Sequence, residues 1–317
     1  MVDDALGDLI ATLGSIDDDE IDWQNVAKTT VLIHQTYRYE YPGPISALRQ
    51  RLIVVPPDYH DDQRLVTHKL RVSGQDVDTE RSYDTFGNVV LDLTLQHVSR
   101  DVEFTSWVVV EREAAPDGSL YSDPVPPDGR FSEPSRLTRP DDALIAVAAE
   151  LTASGATGVE LADLVCGVVH DQLRYEWEVT SVATTAAEAW AGGAGVCQDY
   201  AHCMLALARH CGLSARYVSG HLLGEGGTHA WVEVLVPHER EPECVSAVAF
   251  DPTHNRRVGL RYVTVAVGRD YADVAPTSGT YDGPYEGVLT TSKRAAVTNV
   301  EYLRPQRRRR IGPLPTA

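Results

Sequence analysis

Cys197, His229 and Asp251 are the residues of this chain whose types and order could do chemistry together. They stand in three short stretches, GVCQDYAH (195–202), GGTHAWVEV (226–234) and AFDPTHN (249–255). A histidine beside a thiol accepts its proton, forms an imidazolium–thiolate pair and later protonates a leaving amine. A carboxylate on the far ring nitrogen fixes the tautomer and steadies the positive charge. Each residue taken singly has a plainer reading: the cysteine as a small core residue, the histidine as a satisfied structural group, the Asp-Pro as a turn. The ordered set points instead to acyl transfer through a thioester.

The elements that must position these residues follow from periodicity. TAAE (185–188) can form a capping box, and GGAG (192–195) ends the short helix it opens. From Cys197 onward, Tyr200, Ala201, Met204, Leu205, Ala208 and Cys211 share one helical face, and Gly212 is a natural stop. Cys197 then occupies a first helical turn, beside unpaired N–H groups that favour a thiolate. The glycines before it leave room for a substrate carbonyl, and its own N–H can point at a developing oxyanion. Cys203 and Cys211 read as core residues. ARYVSGHLL (215–223), HAWVEVLV (229–236) and SAVAFD (246–251) read as strands. His229 thus begins one strand and Asp251 ends another, and neighbouring strands lie ~5 Å apart.

Upstream, DDALIAVAAEL (141–151) and VELADLVCGVVHDQL (159–173) carry helical spacing, the second through Leu161, Leu164, Val165, Val168 and Val169, with Cys166 packed inside it. Residues 28–113 read as a mainly antiparallel β domain. TYRYEY (36–41) alternates, LDLTLQ (91–96) puts Leu91, Leu93 and Leu95 on one face, and DTFGN (84–88) supplies a turn. Residues 114–141 hold six prolines and read as a linker or surface crossing. Residues 1–27 form an acidic lead with a helical start, 142–290 the domain bearing the three residues, and 291–317 a tail. With no strand–helix alternation to support a parallel sheet, the fold class is α+β.

GVCQDYAHCMLALARHCGLSARYVSGHL, THAWVEV and FDPTHN together resemble the transglutaminase-like superfamily, in its bacterial and archaeal cysteine-peptidase-like branch. GRDYADVAPTSGTY (268–281) looks like the stretch after the acidic residue in that branch, and TYRYEYPGPI (36–45) with DTFGNVV (84–90) looks like its N-terminal β domain. The resemblance implies a papain-like core, a Cys-bearing helix packed on an antiparallel sheet. It also implies Cys197 as nucleophile, His229 as general base and acid, and Asp251 as orienter. No cofactor is implied. A second oxyanion donor is not assigned; Trp190 and Tyr175 are the upstream candidates. Gln198 and Asp199 match the motif and read as helix-capping or supporting groups, Trp231 as a shield or sheet residue, and His254 as pocket rim.

The net charge of −18 argues against nucleic acid or an anionic membrane as partner. Lysine occurs three times only, at 28, 69 and 293, and the basic cluster Arg307–Arg310 reads as a solvated end. Five cysteines without a CxxC pair fit neither a disulfide framework nor a zinc cage. The acidic N-terminus lacks the basic start of a secretory signal, so a reducing cytoplasm is expected. The expected substrate is a peptide or protein amide, with water favoured over an amine as acceptor. The alternative is a non-catalytic binding module, against which the intact Cys, His and Asp speak; a metal site using His202, His221, His229 or His254 is not expected, since no HExxH, CxxC or i,i+4 His pair supports it.

Overall fold

The computed structural model describes residues 16–73, 77–115, 122–225 and 227–303. The acidic lead before residue 16 and the Arg307–Arg310 cluster lie outside the described residues. A 3-10 turn at Asp18–Glu20 precedes β1 (Val26–Glu40), and the N-terminal region continues with β2 (Ile45–Leu52), β3 (Tyr59–His60), β4 (Gln63–Val72), β5 (Glu80–Tyr83), β6 (Val89–Val98) and β7 (Asp101–Glu113). Alternation builds these strands. Val31, Ile33, Gln35 and Tyr37 of β1 point inward, as do Leu91, Leu93 and Leu95 of β6. The DTFGN turn forms as its composition predicts: Asp84 Oδ1 accepts the N–H groups of Phe86 (2.8 Å) and Asn88 (2.9 Å).

Helices follow: α1 (Asp142–Ala153), α2 (Gly158–Gln172), α3 (Ala186–Gly192) and α4 (Cys197–His210). Short parallel strands β8 (Arg174–Tyr175) and β9 (Ala194–Gly195) flank α3. The capping box at the start of α3 is complete, with Thr185 Oγ1 accepting from Glu188 N–H and Glu188 accepting from Thr185 N–H. The helix α4 differs from the one-faced pattern of its sequence. Every residue from Gln198 to Arg209 is buried, because α1, α2 and α3 cover it on one side and a sheet covers the other.

That sheet is antiparallel, in the order β13-β12-β11-β10-β14, from β10 (Ser214–Leu222), β11 (Thr228–Pro237), β12 (Val245–Asp251), β13 (Arg256–Arg257) and β14 (Tyr262–Gly268). Ala230, Val232 and Val234 of β11 pack toward the helices in one core with Met204, Leu205 and Ala208. A short α5 (Tyr271–Val274) follows. The chain is thus α+β, with mostly antiparallel sheets and a Cys-bearing helix on one of them.

The organisation departs from the expected domain limits at two places. β15 (Thr277–Asp282) pairs with β2, and β16 (Val288–Tyr302) pairs with β1 from Val26 to Glu40. The chain therefore returns to the N-terminal sandwich, whose sheets run β16-β1-β7-β4-β3 and β15-β2-β6-β5. A boundary at 290 falls inside β16, and residues 291–302 are strand, not tail. The described part of the 114–141 crossing is a packed strap: Phe131, Leu137 and Thr138 are buried, and Arg209 of α4 donates to Phe131 O (3.1 Å) and Thr138 Oγ1 (2.8 Å).

The two halves meet along β14. Gln63 pairs by side chain with both backbone groups of Thr264 (2.8 and 2.9 Å), and Asn88 does the same for Val267 (2.7 and 2.8 Å). Two buried amides thus close an edge that would otherwise offer unpaired N–H and C=O groups.

Candidate active site

Cys197 begins α4, so its N–H and that of Gln198 lie outside the helix's own hydrogen-bond ladder. Asp199 holds this end in place: its Oδ2 accepts from Val196 N–H (2.8 Å) and Thr180 Oγ1 (2.7 Å). Gln198 Nε2 donates to Val182 O (3.3 Å), tying the 175–184 loop to the same turn. Capping and support, the roles read from their position, are what these two side chains perform. Gly195 is needed here. A Cβ on it would lie 2.5 Å from Asp199 Oδ2 and 2.7 Å from Asp199 Cβ.

His229 enters from the first turn-side residues of β11 and Asp251 closes β12. His229 Nε2 lies 2.9 Å from Asp251 Oδ2, and both side chains are buried. The Cys197 thiol acts on the same imidazole, whose Nδ1 is the nitrogen not taken by Asp251. Burial alone would push the imidazolium down. The hydrogen bonds to Asp251 and Cys197 overcome it and hold the His229 pKa up, to about 10. Asp251 likewise resists its burial: hydrogen bonds from His229 and then His254 hold its carboxyl well below the usual carboxylate range. The structure brings His229 and Asp251 into hydrogen-bond contact and sets Cys197 at the start of α4.

Other groups complete the surroundings. Asp251 Oδ2 also accepts from His254 Nδ1 (2.8 Å) and Tyr262 Oη (2.6 Å), while Oδ1 accepts the N–H groups of Thr253 (2.9 Å) and His254 (3.3 Å). His254 is therefore a partner of Asp251 as well as rim. Its Nε2 faces Glu225 Oε1 at 2.9 Å, and Glu225 Oε2 stands 3.6 Å from His229 Nδ1. Trp231 is fully buried with its ring stacked beside His229, centroids 6.3 Å apart, and closes the floor of the site. Trp190 packs in the helical core, whereas Tyr175 is exposed.

The sequence pattern held a weak signal for His254, three residues after Asp251. It held none for Tyr262, which only the sheet register brings in. Of the histidines considered for a metal, His229 and His254 converge with Asp251, their ligand atoms within 4.8 Å of one another. His202 and His221 lie apart in the interior. Burial pushes both imidazoles down, to about 4 and about 3. Burial pushes the Cys166 thiol up to about 12, and Cys203 and Cys211 up as well.

Residues 145–241 match the transglutaminase-like superfamily core, and residues 31–111 match the bacterial transglutaminase-like N-terminal region. The two matches together span more than half of the chain and fall on the helix–sheet core and the β sandwich in turn. The chain belongs to the transglutaminase-like superfamily. Among similar proteins, an uncharacterized protein of Mycobacterium tuberculosis is 29% identical over 271 residues, which cover 78% of this chain and 85% of that one. One of Mycobacterium leprae is 29% identical over 276 residues, covering 80% and 92%. A solved structure of a candidate cysteine protease from Cytophaga hutchinsonii aligns over 87% of this chain and 92% of its own, with a TM-score of 0.69 at 21% identity. That neighbour shares the fold over most of both chains.

Proposed function

We propose that this transglutaminase-like protein is a cysteine-dependent acyl-transfer enzyme that opens an amide or peptide bond. One observation supports the reading: His229 bonds Asp251 through Nε2 at 2.9 Å, which leaves Nδ1 free to serve the Cys197 thiol that helps hold the imidazole's pKa up. In this reading Cys197 is the nucleophile, His229 the acid and base, and Asp251 the group that fixes the ring. The Cys197 thiolate attacks the amide carbon, a C–S bond forms, and the carbonyl electron pair moves to oxygen. The N–H groups at the start of α4 are suited to hold that oxyanion. Collapse breaks the C–N bond, and the His229 imidazolium gives its proton to the departing amine. Water then attacks the thioester while His229 takes its proton, and the acid and free Cys197 are released.

A primary amine in place of water would give a new amide by the same steps. The substrate we infer is a peptide or protein segment. Tyr175, Trp177, Val179 and Val182 stand exposed on the loop that Gln198 and Asp199 tie to the nucleophile's turn, and such side chains bind a peptide better than a small polar amide. Among the described residues no helix is long and apolar enough to cross a membrane. A reducing compartment such as the cytoplasm suits a thiol nucleophile among four further cysteines.

The test is product analysis with a glutamine-containing peptide, with and without a primary amine. Free acid in both cases identifies a hydrolase, and a new amide in the second identifies a transglutaminase. Cys197→Ser abolishes either product. Turnover that survives this substitution would sink the reading.

A further inference from the structure

The strand read as tail carries one of the three lysines, and its side chain is partly withdrawn from solvent. Lys293 of β16 pairs in register with Gln35 of β1 and is partly buried on the side facing the core. Its Nζ donates to Thr228 Oγ1 at 3.2 Å, one residue before His229, and lies 5.2 Å from the centre of the Tyr37 ring. Lys28 is paired with Glu111 at 3.1 Å. Lys293 has no carboxylate at ion-pair distance among the described residues, although the chain holds 46 Asp and Glu. A desolvated ammonium without an anion is costly, and an acidic chain has every means of pairing it. Thr228 of β11 and Tyr37 of β1 touch the ammonium, and within electrostatic reach of it lie His221 of β10 and Cys197 of α4. Only the last supplies negative charge. Burial pushes the Lys293 pKa down to about 8, and the charge of Cys197 is what opposes that fall.

We propose that Lys293 is a positioning residue of the active site, its ammonium held by Thr228 and Tyr37 so that it stabilises the negative charge on Cys197 before attack. The inference rests on the acyl-transfer reading and deepens it, because the β sandwich then contributes a working group to a site otherwise built from the helix–sheet core. When the thiolate attacks, its charge passes to the nearby carbonyl oxygen, and a cation at this place goes on favouring it. A neutral chain of similar length at 293 keeps the packing and loses the charge. Arginine keeps the charge.

The direct test uses protein labelled with 13C-lysine, whose three lysines give three sets of ε-methylene signals. The set lost in Lys293→Met identifies Lys293. Its titration midpoint in wild type is expected near pH 8, and Cys197→Ser, which removes the thiolate, is expected to lower that midpoint by about half a pH unit or more. An unchanged midpoint overturns the proposal, and this comparison needs no Lys293 variant to fold. Reactivity gives the second arm. Alkylation of Cys197 by iodoacetamide at pH 6 is expected to fall about tenfold in Lys293→Met, the effect of one pKa unit, and to recover in Lys293→Arg. The deficit should close as the pH rises past 9. A purely structural bridge to Thr228 would lower the melting temperature of Lys293→Met, whereas relief of a desolvated charge keeps or raises it. Should wild type show no preferential labelling at Cys197, the acyl-transfer reading fails first. Preferential labelling that is identical in wild type and Lys293→Met overturns the Lys293 inference alone.

Discussion

Asp251 is the most heavily engaged side chain of the site. Three donors converge on its Oδ2 and two backbone N–H groups on its Oδ1. Such a carboxylate is fixed in charge and in direction, which is what an imidazole needs to present its other nitrogen to a thiol. Tyr262 is the donor most easily removed. Tyr262→Phe deletes a bond to a buried charged group and should destabilise the fold by about 2 kcal/mol, read by denaturant unfolding. It should also slow Cys197 alkylation several-fold, because His229 loses part of its fixed frame. An unchanged alkylation rate would show that His229 and His254 hold Asp251 unaided. His229 carries a pH signature with a definite sign. Its raised pKa means that its contribution to stability is full below 6.5 and is lost as the pH climbs toward about 10. Asp251, held low, contributes fully above 3.8 and loses that contribution on acidification. The gap in melting temperature between wild type and His229→Gln is therefore expected to be widest near pH 5–6 and to shrink toward pH 10. A gap that grows with pH would contradict the pairing.

At the scale of the element, α4 is a buried helix whose first turn presents Cys197, the nucleophile proposed above. Its first turn is fastened by Asp199 to Val196 and Thr180, and Gly195 is bare where a side chain would strike Asp199. Gly195→Ala should displace that turn, destabilising the protein by about 1–3 kcal/mol and lowering Cys197 alkylation at least tenfold relative to the other thiols. Alkylation unchanged in this variant would mean that Asp199 does not set the position of Cys197. This arrangement was largely legible in the sequence. The glycine run, the helical spacing after Cys197 and the stop at Gly212 mark the element, and the THAW and FDPTHN stretches mark the two strand ends. What periodicity could not show is that α4 is covered all round. The residues Gln198, Asp199, His202 and Arg209 look like a polar face, yet each is buried, three of them holding loops or the strap by hydrogen bonds and His202 accepting from Tyr271 N–H.

At the scale of the whole molecule, the chain's two regions are laced rather than strung. After the core is complete, β15 and β16 return to the sandwich, and β16 pairs with the full length of β1. The sequence concealed this return for a physical reason. VLTTSKRAAVTNVEY lies on an edge with Val297 alone fully buried, so it lacks the apolar alternation that reveals a half-buried strand. Its pairing is decided by a partner more than two hundred residues away. A chain ending at residue 287 would bare the edge of β1 and lose Lys293. It is expected to aggregate or melt well below the full-length protein, as measured by sedimentation and thermal unfolding. A stable monomer with an unchanged melting temperature would show that the return serves something other than the fold.

The three scales meet in the reactivity of one thiol. The account is tested most directly by peptide mapping of all five cysteines after brief exposure to iodoacetamide at pH 6, in wild type and in His229→Ala. In the proposed mechanism Cys197 is alkylated at least about tenfold faster than Cys166, Cys203, Cys211 and Cys244, because His229 is the base for its thiol while the other four are held protonated by their surroundings. His229→Ala should erase that lead. Labelling of Cys197 no faster than that of Cys244, or a lead that survives the loss of His229, would contradict the central claim.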